Sequence, residues 1–169
     1  MAAGSTYTPI ATTTLGTAVS NITFSSISGS YTDLVLIVST AMTSSGTGDL
    51  SLQFNSDTGS NYSATALSGN GSSALSNRYT NETQVRCTYY GYLDTPIGTY
   101  IINLQNYSNS TTYKTLISRA NNTGNGTNSS VGLWRSTSAI TAIKVMATGG
   151  NATNFIVGST FSLYGISAA

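Results

Sequence analysis

The chain has 169 residues, of which 39% are hydrophobic and only 7% are charged, and its formal net charge is +1. This length suits one domain with a sizeable core, and the apolar fraction is too high for a disordered chain. Lysine and arginine together number six, too few for the basic surface that follows a nucleic-acid backbone, so nucleic acid is excluded as a partner.

The first twelve residues contain few large apolar side chains. We therefore expect residues 1–12 to form a flexible N-terminal arm and residues 13–169 to form a single β-sandwich domain.

The first basic residue is Arg78, so the positive leader of a secretory signal is missing. Cys87 is the only cysteine and cannot form an intrachain disulfide. Both features predict synthesis in a reducing cytoplasm.

Apolar and polar residues alternate with a period of two along most of the chain. This alternation predicts strands that have one face in a core and the other in water. In the final segment, Phe155, Val157, Phe161 and Leu163 are expected to share the buried face. In chain order, the alternating segments begin at Ile22, Leu50, Val85, Tyr100, Ile143 and Phe155.

The run from Leu34 to Val38 differs because it is apolar at every position. A continuous apolar run predicts a central strand that is covered on both faces. It is far shorter than the roughly 20 residues needed to cross a bilayer, so no membrane partner is expected.

Segments rich in glycine, asparagine and serine separate the predicted strands. These residues tolerate the backbone angles of tight turns, and no stretch shows helical periodicity. The spacing predicts an all-β fold, an antiparallel two-sheet sandwich of jelly-roll type with about eight to ten strands. The predicted turns lie at residues 28–30, 44–48, 69–71, 121–130 and 149–151.

Residues 54–63 read FNSDTGSNYS and allow two interpretations. Oxygen-bearing or flexible residues at every second position (Asn55, Asp57, Gly59 and Asn61) resemble a calcium loop, but calcium prefers several carboxylates. Asp57 is the only carboxylate in the segment, although Asp33 or Asp94 could come from other loops. An ordinary turn between two strands, structured by Asn55, Asp57 and Gly59, is the favoured interpretation.

The residue inventory argues against an enzyme. The chain has no histidine, so the commonest general base and metal ligand is absent. Cys87 has no histidine to activate it and is expected to be a small buried hydrophobe. No two carboxylates form a local pair of the kind that glycoside hydrolysis uses. We expect no catalytic residue, no metal ligand and no cofactor.

Tyrosine is the dominant aromatic residue, and three tyrosines cluster at residues 89–92. An exposed tyrosine ring can stack on a sugar or anchor a protein interface. Tyrosine is also a good strand former that lies half-buried at sheet edges, and this interpretation stays open for each ring. The candidate interface or glycan contacts are Tyr7, Tyr90, Tyr92, Asn122 and Asn125.

A succession of strand and turn motifs spans nearly the whole chain. It comprises YTPI at residues 7–10, ITFSSI at 22–27, YTDL at 31–34, LQFN at 52–55, DTGSNYS at 57–63, GNGS at 69–72 and FSLYGI at 161–166. This order resembles small virion structural proteins of tailed bacteriophages, notably of aquatic hosts, and the ends of longer phage fibre proteins. The resemblance implies a β-sandwich displayed on a virion and carries no catalytic residue.

Two functions from different classes follow from this resemblance. The first is a capsid decoration or cement protein that binds the major capsid protein and stabilises the head. The alternative is a tail-fibre or spike module that binds host surface glycan. A fibre subunit commonly carries a long attachment segment, which favours the head. Symmetric shells favour symmetric subunits, so a homo-oligomer, a dimer or a trimer, is expected.

Overall fold

A computed structural model describes residues 6–89 and 92–167. All helical or extended secondary-structure elements in these residues are β-strands and none is a helix, which confirms the predicted all-β class. The strands are β1 (Tyr7–Thr14), β2 (Asn21–Phe24), β3 (Asp33–Thr40), β4 (Asp49–Phe54), β5 (Tyr62–Gly69), β6 (Ala74–Glu82), β7 (Val85–Arg86), β8 (Gly98–Gln105), β9 (Lys114–Asn122), β10 (Gly126–Trp134), β11 (Ile143–Thr148) and β12 (Thr160–Ile166).

The strands form two antiparallel sheets whose order identifies a jelly roll. The large sheet has the order β1-β12-β3-β8-β9-β10-β5-β6, and the small sheet has the order β2-β11-β4-β7. Strand β1 pairs with β12, β2 with β11, β3 with β8 and β4 with β7. Early strands thus pair with late strands in nested fashion, alternately in the two sheets, as in a jelly roll. The predicted two-sheet sandwich is confirmed.

Two hairpins are inserted into this jelly-roll frame. Hairpin β5–β6 lies between β4 and β7 in the sequence, and hairpin β9–β10 lies between β8 and β11. The two hairpins pair with each other through β10 and β5, and β9 pairs with β8. They extend the large sheet by four strands, so the described residues contain twelve strands where about eight to ten were predicted.

One hydrophobic core lies between the two sheets and draws side chains from both. Strand β3 is central in the large sheet, and its inward residues Leu34, Leu36 and Val38 are fully buried. On the opposite face Val35 is also buried, between Tyr164 and Asn103 in the sheet register. Ile37 on that face is 36% exposed. The prediction of cover on both faces is therefore right for Val35 and wrong for Ile37.

Residues 7–12 do not form a free arm, contrary to the expectation from their small side chains. Strand β1 pairs with β12 from Tyr7↔Ile166 to Thr14↔Thr160, with an irregularity at Pro9. Backbone hydrogen bonds hold this edge strand, and proline is tolerated there because an edge strand has one unpaired side. The remaining part of the expected arm, residues 1–5, lies outside the described residues.

The last predicted strand begins later than its alternation suggested. Phe155, Phe161 and Leu163 are buried as expected, but Val157 is 59% exposed. Gly158 has a φ of +83° in the turn that precedes β12. This turn separates Val157 from the strand, so the period-two register does not extend across it.

Candidate functional site

The segment FNSDTGSNYS forms a turn between β4 and β5. Asn55 has a φ of +51°, and its Oδ1 accepts hydrogen bonds from the backbone N–H groups of Thr141 (2.8 Å) and Ala142 (3.0 Å). Asp57 Oδ1 accepts a hydrogen bond of 2.8 Å from the backbone N–H of Gly59. Asn55, Asp57 and Gly59 thus fasten the turn to itself and to the loop before β11.

The Asp57 carboxylate is engaged by protein donors. Its Oδ2 accepts hydrogen bonds from Trp134 Nε1 at 2.7 Å and Asn61 Nδ2 at 3.0 Å. Burial raises the pKa of Asp57, but the hydrogen bonds from Trp134, Asn61 and Gly59 outweigh it and hold the pKa below its ordinary value. In residues 6–89 and 92–167, no three His, Cys, Asp or Glu side chains gather where they could hold a metal.

Cys87 and Asp49 lie together beneath the inserted hairpins. Burial, together with the nearby charge of Asp49, raises the pKa of the Cys87 thiol, so the sulfur stays protonated. Asp49 is itself buried and accepts a 2.6 Å hydrogen bond from Arg86 Nη1. The Arg86 guanidinium also lies 4.6 Å from the ring centroid of Tyr79. The ion pair between Asp49 on β4 and Arg86 on β7 helps to hold these two strands together. Asp49 therefore has a structural role.

A polar cleft opens where the two inserted hairpins meet the loops of the jelly roll. Its volume is about 490 Å³, within the range of roughly 300–1,000 Å³ that ligand sites occupy. Four loops or turns, together with strands β5 and β6, contribute to the wall of this hairpin cleft. The lining residues are Gly46, Thr47, Ser68, Asn70, Leu75, Tyr89, Tyr92, Asp94, Gly124 and Asn125.

Asp94 is the charged residue of the hairpin cleft, and the backbone fixes its orientation. Its Oδ1 accepts hydrogen bonds from the N–H groups of Thr95 (2.7 Å) and Gly46 (3.2 Å). Its Oδ2 makes a long 3.5 Å contact with Asn125 Nδ2. Burial raises the pKa of Asp94, but these hydrogen bonds outweigh it and lower the pKa below the ordinary value. Asp94 therefore presents an ionised acceptor at the cleft wall.

Two of the sequence-predicted contact residues prove to be buried supports. Tyr92 is 4% exposed, and its hydroxyl donates to the carbonyl of Gly69 at 3.4 Å. Asn122 is 1% exposed; its Nδ2 donates to Pro96 O at 3.1 Å and its Oδ1 accepts from the Gly124 N–H at 2.9 Å. Tyr92 nevertheless lines the hairpin cleft, and contact of either side chain with a partner stays a prediction. Both side chains shape the loops that form the cleft.

The other predicted contacts are dispersed. Asn125 is half-buried and lines the hairpin cleft. Tyr7 is exposed on β1 at the other end of the large sheet, where its ring packs edge-on against Tyr164 at a centroid distance of 6.3 Å. Tyr90 lies outside the described residues. The tyrosine cluster and the Asn-rich loop, which are far apart in sequence, nevertheless meet in the same cleft.

Sequence reasoning missed several residues of the cleft as binding candidates. The sequence groups Tyr89 with its tyrosine neighbours without singling it out, and it suggests Asp94 as a carboxylate for calcium or catalysis but not as a contact for a bound partner. The position of Asp94 two residues after Tyr92 is the local signal that could have found it. Asn70 and Thr47 lie in ordinary turn sequences, and only the tertiary fold brings them to the cleft.

A second surface lies on the side of the large sheet that faces away from the core. We call it the outer face. Two depressions of about 530 and 440 Å³ meet on it at Gln105 and Ile117. Three aliphatic side chains stand out from it: Leu67 is 62% exposed, Val131 52% and Ile117 44%. By register the face also includes Asp33, Val35, Ile37, Thr65, Arg78, Ile101, Asn103, Arg119 and Ser129.

No family model, curated protein or solved structure matches this chain in the three comparisons with known proteins. In the part of the chain that the structure describes, no helix is long and apolar enough to span a membrane. The geometry of the two surfaces therefore carries the functional argument: a polar cleft between inserted hairpins, and a broad, weakly charged sheet face.

Proposed function

We propose that the protein is a structural component of a bacteriophage virion that decorates the head by binding the major capsid protein. It acts as a rigid, non-catalytic jelly roll that strengthens the shell from outside. The motifs that resemble phage virion proteins suggest the setting, and the outer face of the large sheet is the observation that supports docking. A dimer or trimer of the chain matches the symmetry of a shell.

The chemistry of the outer face suits a protein partner. Large aliphatic side chains on strands β3, β9, β10 and β5 remain exposed, and Ile101 on β8 is half-buried. The charged residues of the face stand singly: Arg119 on the interior strand β9, Asp33 at the start of β3 and Arg78 on the edge strand β6. Removing such a face from water desolvates little charge, whereas burying unpaired lysine or glutamate side chains would be costly. Exposed apolar surface of this extent commonly marks an interaction site.

Binding to expanded capsids that lack the protein tests this proposal. Purified protein should cosediment with such capsids, and the loaded capsids should resist heat better than bare ones. Ile117→Asp and Val131→Asp, which place charge on the outer face, should each weaken binding at least tenfold. The matched control is Val157→Asp, because Val157 is equally exposed but lies outside the large sheet. Equal binding by all three variants would refute docking through this face.

Host recognition by a tail fibre or spike is a second candidate, and the hairpin cleft is the observation that favours it. Residues from the tyrosine cluster and from the Asn-rich β9–β10 turn converge there. Copy number on the particle separates the two candidates. Hundreds of copies per virion indicate a head protein, whereas a few to some tens indicate a tail component.

A further inference from the structure

We propose that the hairpin cleft binds a short, uncharged glycan. This inference deepens the second candidate function, but it concerns the cleft itself and holds whether the protein sits on the head or on the tail. The ligand class follows from how the cleft is built, from its donors and acceptors, from its apolar surface and from its charge.

The cleft exists because of the insertions into the jelly-roll frame. Ser68, Asn70 and Leu75 come from hairpin β5–β6, and Gly124 and Asn125 come from the β9–β10 turn. The rest of the wall comes from the β3–β4 and β7–β8 loops. Binding sites typically lie on loops that a rigid scaffold positions. A jelly roll without these hairpins would have no such cleft.

The polar groups of the cleft match the hydroxyl groups of a sugar. Asp94 offers an ionised acceptor whose orientation two backbone N–H groups fix. Asn125 contributes an amide, and Thr47 contributes a hydroxyl. Asn70 is oriented by its own turn, since its Oδ1 accepts from the N–H groups of Ser72 (2.9 Å) and Ser73 (2.8 Å). A few polar groups with fixed directions give a site its specificity.

The cleft also offers apolar surface for the C–H faces of a sugar ring. Tyr89 is half-buried at the wall, and Leu75 is 47% exposed on β6. A tyrosine ring provides apolar area together with a polar tip. This pairing of an aromatic ring with amide and carboxylate groups suits a ligand that is polar at its edges and apolar on its faces.

The charge of the cleft excludes anionic ligands. Among the described residues that line it, none is lysine or arginine, and Asp94 is held in its ionised form. A phosphate, a nucleotide or a sialic acid would meet this carboxylate without a compensating cation. The site is therefore expected to prefer neutral hexose or N-acetylhexosamine glycans over sialylated or sulfated ones.

A glycan array carrying neutral oligosaccharides and their sialylated or sulfated counterparts tests the proposal, followed by calorimetric titration of the strongest neutral binder. We expect Tyr89→Ala and Asp94→Asn each to weaken binding at least tenfold. Asn125→Ala should also weaken glycan binding. This variant replaces Tyr89→Ala or Asp94→Asn in the test if either of them fails to fold. Tyr113→Ala is the matched control, because Tyr113 is an exposed tyrosine outside the cleft.

Three results would overturn the proposal: no binding to any glycan at millimolar concentration, a preference for the anionic glycans, or binding that Tyr89→Ala, Asp94→Asn and Asn125→Ala leave unchanged. Ile117→Asp keeps this test separate from the capsid test, because it alters the outer face and leaves the cleft intact. Its capsid binding should fall while its glycan binding is unchanged. If the parent protein shows one of the two binding activities and lacks the other, the missing activity identifies the proposal that has failed.

Discussion

At the residue scale, Asp57 links the β4–β5 turn to a buried aromatic cluster. Trp134 packs against Phe54 at a centroid distance of 5.5 Å and stacks on Tyr62 at 6.3 Å, and its indole N–H donates to Asp57. The Asp57 carboxylate accepts hydrogen bonds from Gly59 in the turn and from Trp134 in the core, and so it holds the turn against the core. The acid is therefore structural, although its sequence context resembles a metal loop.

Replacing Asp57 with alanine should lower the free energy of unfolding by about 2–3 kcal/mol, because the buried indole N–H of Trp134 loses a charged acceptor. Thr58→Ala changes an exposed residue of the same turn and should stay within about 0.5 kcal/mol of the parent. Urea unfolding followed by tryptophan fluorescence measures both. Equal stability of the two variants would show that Asp57 does not hold the turn.

The lowered pKa values of Asp57 and Asp94 predict acid sensitivity. An unfolded aspartate titrates near pH ~3.9, so between that pH and the lower folded pKa values the unfolded chain binds more protons. These carboxylates thus stabilise the fold fully above about pH 5 and lose their contribution as the pH falls through the folded values. Urea midpoints from pH 6 to 2 should show this loss, and Asp57→Asn should make it shallower. Greater stability at pH 3 than at pH 6 would contradict the assignment.

Burial of Cys87 predicts an unreactive thiol. Its raised pKa keeps the sulfur protonated, and its side chain is almost completely inaccessible. A thiol-specific reagent at pH 8 should label the native protein at least a hundredfold more slowly than the urea-unfolded protein. Labelling at similar rates in both states would mean that Cys87 is exposed.

At the element scale, the inserted hairpins depend on a close approach between β10 and β7. A Cβ atom at Gly132 would collide with Val85 and press on Leu116. Gly132→Ala should therefore destabilise the fold by about 1–3 kcal/mol through overpacking. Gly69→Ala, in the neighbouring strand β5, meets open space and is the control. Thermal unfolding measures both variants, and equal Tm values would contradict the close packing of β7 against β10.

Strands with one buried face could be predicted from the sequence, but the two edge strands of the large sheet, β1 and β6, could not. Tyr100–Gln105 and Thr160–Ile166 alternate because the core selects every second side chain. Strand β4 (Asp49–Phe54) alternates in sequence but is buried at every position, so the water-facing side predicted for it is wrong. Strand β6 (Ala74–Glu82) is exposed on both faces, so no alternation marks it, and only its backbone pairing with β5 defines it. Strand β1 escaped prediction for the same reason.

The candidate site was only partly predictable because it depends on contacts between distant segments. The sequence drew attention to the tyrosine cluster and to the Asn-rich loop, and both lie at the hairpin cleft. Packing decides how much of each lining side chain stays accessible: Tyr92 is 4% exposed and its hydroxyl donates to the carbonyl of Gly69, whereas Tyr89 is half-buried. The approach of hairpin β5–β6 to these loops has no local signal in the sequence.

At the scale of the whole molecule, the jelly roll presents two surfaces of different chemistry. The outer face is broad and exposes several aliphatic side chains with a few single charges, and the hairpin cleft is polar and carries one ionised acid. The first suits attachment to a protein lattice, and the second suits a small polar ligand. Because the two surfaces draw on different residues, substitutions can separate their roles.

Electron cryomicroscopy of expanded capsids saturated with the purified protein tests the docking account most directly. We predict regularly placed jelly rolls whose outer face, around Ile117 and Val131, lies against the major capsid protein. Docking through the outer face would be contradicted if capsids stayed bare at a saturating protein concentration. It would also be contradicted if bound copies turned this face to solvent.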